Sequence, residues 1–122
     1  MLSTSEIIKK YDLITKKSLG QNFLIHADLI DKIVKPACIS GNDEILEIGM
    51  GPGGLTAAIL RQGPKRLVSV DLDERCINIG KNEFLPFYNN FELMQNDALK
   101  IDESKIFSGK FKIISNLPYN VG

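Results

Sequence analysis

The chain has 122 residues, 43% of them hydrophobic and 25% charged, with fifteen basic residues balanced by fifteen acidic ones. That is about one domain of ~100–200 residues with enough apolar side chains for a core, which excludes a disordered chain. Zero net charge excludes a global field that recruits nucleic acid, and no apolar run nears the ~18 residues of a membrane span.

In chain order, Ser3-x-x-Glu6 reads as a capping box, with Ile7, Ile8, Tyr11 and Ile14 at helical spacing behind it. The start, MLSTSEIIKKYD, has no basic n-region and no apolar h-region, so a soluble cytoplasmic protein is expected, with no membrane partner. Residues 1–40 carry six lysines against four acids, and Lys9, Lys10, Lys16 and Lys17 bracket one short stretch. That stretch reads either as a contact for a phosphate backbone or as a solvated helix face. Residues 15–25 show no period. Asp28 is placed to cap a second helix through Leu29, Ile30, Ile33 and Val34, which Pro36 and Ser40-Gly41-Asn42 end.

From residue 43 the rhythm changes. Ile45–Ile48 reads as a strand, Leu55–Gln62 as a helix, Leu67–Val70 as a strand and Glu74–Leu85 as a helix. Phe91–Met94 and Phe111–Ile114 complete four strands. Strands alternating with helical stretches predict βαβ units, a parallel sheet flanked by helices. Cys38 and Cys76 have neither zinc nor redox spacing, so no metal is expected and both read as small buried hydrophobes.

Every glycine-rich or polar cluster follows a strand: residues 49–54, Asp71, Asp97 and Asn116–Tyr119. In an open parallel sheet those strand ends share one edge, where ligands bind. Four of the ten glycines lie within residues 49–54, where a tight turn needs positive φ and a ligand on the backbone needs no Cβ. The run fits two templates. Gly49-x-Gly51-x-x-Gly54 is the dinucleotide fingerprint, and Gly49-x-Gly51-x-Gly53 after Glu47 is the S-adenosyl-L-methionine pattern. In either, Asp71 stands where a carboxylate accepts ribose hydroxyls, and Asp97 could accept from an adenine amine. The glycines alone do not choose.

Asn116-Leu117-Pro118-Tyr119 separates the templates. The Asn116 amide oxygen and the Leu117 carbonyl can both accept hydrogen bonds from one exocyclic amine, Pro118 fixes the turn, and Tyr119 offers a face for a base. That suits methyl transfer to a weakly nucleophilic aromatic amine. A hydride-transfer enzyme has no use for it.

Taken with Leu19-Gly20-Gln21-Asn22-Phe23-Leu24, Glu47-Ile48-Gly49-x-Gly51-x-Gly53-x-Leu55-Thr56 and Asp97-Ala98, the chain resembles the ribosomal RNA adenine N6-dimethyltransferases of the small subunit, over roughly residues 15–122. The resemblance implies a Rossmann-like methyltransferase fold, S-adenosyl-L-methionine as cofactor, and ribosomal RNA or the small ribosomal subunit as partner. It implies that Asn22 and the Leu24 backbone fold over the cofactor and that Gly49 and Gly51 lie beneath it. Asp71 would meet its ribose, Asp97 its adenine, and Asn116, with Leu117 and Tyr119, the target base. Where the family usually has Pro and Glu, this chain has Met50 and Asp71. Residues 1–40 are expected to form amino-terminal helices and a covering arm, and 41–122 the first half of the methyltransferase domain. The C-terminal strands and a helical RNA-binding domain are expected to be absent, which would leave the fourth strand at a sheet edge. The large-subunit rRNA methyltransferases are a close alternative. From other classes, a nicotinamide-dependent oxidoreductase and a non-catalytic nucleotide- or RNA-binding module remain alternatives.

Overall fold

The computed structural model describes residues 2–11 and 27–115. Ser3 caps the first helix, α1 (Thr4–Lys10), as its spacing predicts: the Glu6 N–H donates to Ser3 Oγ at 3.2 Å and the Ser3 N–H to Glu6 Oε1 at 3.0 Å. Helix α2 (Ala27–Val34) begins one residue before the expected cap, so Asp28 is its second residue. Acidic residues suit the first turn as well as the cap, because both lie beside unpaired N–H groups. A 3₁₀ turn, Lys35–Ala37, follows and ends at Cys38, whose φ of 50° is left-handed. Cys38 is exposed, against expectation; the helix terminates there and turns its side chain outward. Cys76 is buried as expected.

The remaining elements are β1 (Glu44–Ile48), α3 (Gly54–Arg61), β2 (Arg66–Asp71), α4 (Glu74–Ile79), β3 (Phe91–Gln95), α5 (Glu103–Ile106) and β4 (Lys112–Ser115). The predicted helix 74–85 is not uniform: α4 widens into a π turn over Gly80–Phe84. The short α5 carries too few apolar positions to show a period, and sequence reading missed it. All strand pairs are parallel, in the order β3-β2-β1-β4. The chain therefore winds outward from β1 to β3, then crosses back to place β4 on the other side of β1, at the edge. Doubly wound sheets bind ligands at such a reversal, beyond the carboxyl ends of the strands, here β1 and β4.

Alternation along each strand sorts the side chains by face. Ile45, Leu67, Phe91 and Ile114 share one core with Ile7, Ile8, Ile30, Val34, Leu55, Ile59 and Phe84 from the helices. Leu46, Val68 and Val70 face the other way, against Phe107, which stacks on Phe111 at 4.4 Å. Full burial of each such side chain stabilises by about 1.5–3 kcal/mol. Among the described residues no helix is long and apolar enough to cross a membrane.

Candidate cofactor site

The site begins inside β1. Glu47 lies on the same face of β1 as Ile45, and it is 0% exposed. Its Oε1 accepts hydrogen bonds from Thr56 Oγ1 on α3 (2.6 Å) and from Ser69 Oγ on β2 (2.5 Å). Ser69 is its register partner. Oε2 has no partner. Burial raises the carboxyl to about 7, against which the two hydroxyls pull only partway, and Asp71 adds to the rise.

From Glu47 the chain enters the glycine-rich loop. Gly49, Gly51 and Gly53 have φ of 79°, 54° and 95°, the left-handed region glycine enters without strain. Gly53 has a second reason to be glycine: a Cβ there would lie 2.5 Å from Phe84 Cε2. Residues 50–54 are buried, so the loop is folded tightly under its own edge.

Asp71 ends β2 beside this loop. Its Oδ2 accepts from the Met50 N–H at 3.0 Å and from the Gly51 N–H at 3.4 Å, and its Oδ1 accepts from the Asp73 N–H at 2.9 Å. Sequence reasoning missed this bracing role; a carboxylate 20–21 positions from two loop amides carries no local signature. Asp73 is the cap of α4, accepting from the Arg75 N–H at 2.9 Å. Asp97 lies past β3, its Oδ1 accepting from the Leu99 N–H at 2.9 Å. Because β2 and β3 are neighbours, with Asp71 opposite Gln95, Asp97 follows the strand next to Asp71's. Ser115 is the register partner of Ile48, so β4 ends beside the start of the loop. The structure thus brings Gly49, Gly51, Asp71 and Asp97 to one sheet edge. Asn22, Leu24, Asn116, Leu117 and Tyr119 lie outside the described residues. Among the described residues no group of three His, Cys, Asp or Glu side chains could hold a metal ion.

Glu47, Thr56 and Ser69 were legible only as motif letters or strand residues, yet together they tie β1, β2 and α3 beneath the loop. Removing the Asp71 carboxylate leaves two buried loop amides without acceptors. Asp71→Ala is therefore expected to lower unfolding free energy by about 1–3 kcal/mol, and Asp71→Asn, which keeps an acceptor, by less. Equal denaturation midpoints for Asp71→Ala and the parent chain would exclude the brace.

The ribosomal RNA adenine dimethylase family model matches residues 13–122. The chain belongs to this family. Curated relatives agree. A ribosomal RNA small subunit methyltransferase A from Chelativorans sp. is 40% identical over 119 residues, 96% of this chain and 43% of that protein. Its counterpart from Rhizobium meliloti is 39% identical over 117 residues, again 96% of this chain and 43% of the relative. The chain thus spans somewhat under half the length of the curated relatives it matches. Among solved structures, a dimethyladenosine transferase from Plasmodium falciparum superposes with a TM-score of 0.64 at 34% identity, covering 80% of this chain and 34% of that one. The 23S rRNA methyltransferase ErmE gives 0.68 at 22% identity, over 80% of this chain and 38% of that one, and shares the fold. The relatives are named as methyltransferases, and none of them supports the nicotinamide alternative.

Proposed function

We propose that this chain is the cofactor-binding part of an S-adenosyl-L-methionine-dependent enzyme that N6-dimethylates adenines in small-subunit ribosomal RNA. The observation that carries the cofactor reading is the use of the Met50 and Gly51 amides. A pyrophosphate cofactor needs loop N–H groups turned toward its anion; here Asp71 takes both, and its negative charge stands at the loop instead. Gly49 and Gly51 permit close approach of the cofactor, Asp71 is assigned the ribose hydroxyls, and Asp97 is assigned the adenine amine. Asn22 and the Leu24 backbone are assigned to its cover.

Bound S-adenosyl-L-methionine supplies a methyl group activated by a sulfonium centre. The chain's part is to hold the acceptor. The Asn116 side-chain oxygen and the Leu117 carbonyl accept both hydrogens of the adenine amine, which leaves its nitrogen lone pair free to attack. Tyr119 stacks the base outside its helix and holds it in line. No strong base is required, because the amine proton becomes acidic only as the new bond forms.

Calorimetric titration of the chain with S-adenosyl-L-homocysteine and, separately, with NAD tests the cofactor reading. Binding of the first and none of the second is expected, with Asp71→Ala weakening the first by about 1.5–3 kcal/mol. Binding of NAD alone would reverse the assignment. For the RNA half of the proposal, methyl transfer to small-subunit particles is the measurement. In the longer protein, Asn116→Ala is expected to abolish it while sparing most cofactor affinity.

A further inference from the structure

Glu83 is the one acidic side chain besides Glu47 that is buried among the described residues. It lies in the π turn, far in sequence from the site. Its Oε2 accepts from Lys10 Nζ at 2.7 Å and from Tyr11 Oη at 2.7 Å, contacts spanning 73 and 72 positions. Asn82 Nδ2 donates in turn to Tyr11 Oη at 3.3 Å, and Lys10 lies 5.5 Å from the Tyr11 ring centre. So the carboxy-terminal end of α1 is clasped to the π turn through one carboxylate oxygen. The Leu85 N–H donates to the Gly80 carbonyl at 2.9 Å, the i→i+5 bond that widens the turn.

The next residue is Phe84. Its ring is buried, packs on Phe91 at 5.9 Å, and occupies the space that a Cβ on Gly53 would need. Gly53 ends the glycine-rich loop and caps α3, and its N–H donates to the Met50 carbonyl at 3.0 Å. Met50 is the residue whose own N–H reaches Asp71. A continuous set of contacts therefore runs from Lys10 and Tyr11 through Glu83 and Phe84 to Gly53, Met50 and Asp71. Nothing in the methyl-transfer reading uses the first half of it. Widened turns within helices recur at functional positions, and here the widening sets the carboxylate and the ring side by side.

We propose that Glu83 is a positioning residue for the cofactor loop: held by Lys10 and Tyr11, it fixes the π turn so that Phe84 presses on Gly53 and sets the loop in its binding shape. This rests on the cofactor reading above and adds a residue to it. A clasp that serves only to dock α1 changes stability and leaves the loop alone. A positioning clasp changes the loop even in protein that is fully folded.

Two readouts separate these. The first needs no cofactor: hydrogen exchange of the Met50, Gly51 and Gly53 amides in Glu83→Gln and in the milder Tyr11→Phe. Faster exchange at these amides is expected, with Phe107→Leu, which destabilises from the opposite face of the sheet, leaving them unchanged relative to global stability. The second is affinity for S-adenosyl-L-homocysteine well below the unfolding midpoint. Weakening between about two- and thirtyfold is expected for Glu83→Gln, the span of couplings carried through packed networks. In a Phe84→Leu background, Glu83→Gln is expected to add little further weakening, because the route through the ring is already cut. Parent-like loop exchange and parent-like affinity in both clasp variants overturn the proposal, as does full additivity with Phe84→Leu. Failure of the parent chain to bind S-adenosyl-L-homocysteine overturns the cofactor reading instead, and with it the functional sense of the clasp.

Discussion

Gly53→Ala is expected to destabilise the protein by about 3 kcal/mol and to lose most cofactor affinity. Two costs act on one methyl group. At φ 95° an L side chain meets its own backbone, which costs about 1–3 kcal/mol. The new Cβ also lies 2.5 and 2.6 Å from two carbons of the buried Phe84 ring, which must shift to admit it. Overpacking of this kind costs about 1–3 kcal/mol more. Chemical denaturation of Gly53→Ala, Phe84→Leu and the double variant apportions the two. Phe84→Leu removes the clash and leaves the backbone strain, so the double variant is expected to be more stable than the two single losses predict. Strict additivity would mean that ring and loop are not in contact. By contrast, Gly63→Ala carries only backbone strain, since a Cβ there meets nothing within 4 Å.

Glu47→Gln is expected to abolish one component of the pH dependence of stability. The folded protein holds the Glu47 proton up to about pH 7, above the ordinary 4.5, because burial disfavours the charge. Its contribution is therefore complete below about pH 4.5, declines as pH rises through about 7, and is flat beyond. The loss over that window is about 3 kcal/mol by linkage. Asp43, Glu83 and Glu92 have depressed carboxyls and change stability in the opposite sense at lower pH. The difference between variant and parent isolates Glu47. Denaturation midpoints measured from pH 5 to 8 are expected to show the variant gaining on the parent as pH rises. A constant difference across that range would sink the assignment.

How far the sequence announced all this depended on the range of each interaction. The four strands and their end clusters were legible because turn residues and alternation act within a few positions, and the Ser3–Glu6 cap acts within one turn. The parallel sheet and the convergence of Gly49, Gly51, Asp71 and Asp97 followed from that pattern, while the edge position of β4 rested on the family resemblance. What was not legible is what spans the chain. Glu47 reads locally as one polar residue in Ile-Leu-Glu-Ile, and its burial depends on Ser69 and Thr56 arriving from two other elements. Asp71 reads as a ligand residue, and its bond to the Met50 amide is visible only in three dimensions. The π turn has no sequence signature, since the pattern of Cys76, Ile77, Gly80 and Phe84 is as helical as any. Cys38 misled for a simpler reason: average burial of a residue type says little about a position just past a helix end. Lys10, read as a possible phosphate contact or part of a solvated helix face, is exposed and also pairs with Glu83, a partner 73 positions away.

The clasp also orders events in time. Ser69 meets Glu47 across 22 positions, but Lys10 meets Glu83 across 73 and Lys112 meets the Ala37 carbonyl across 75. Closing loops of that length precedes any reward from the contact, so such contacts form late and slow folding. During synthesis α1 is made well before the π turn, so its two buried isoleucines and its anchor wait for residues made some seventy steps later. Until then Ile7 and Ile8 are exposed, open to wrong partners. A segment made long before its partner is among the last to find its place.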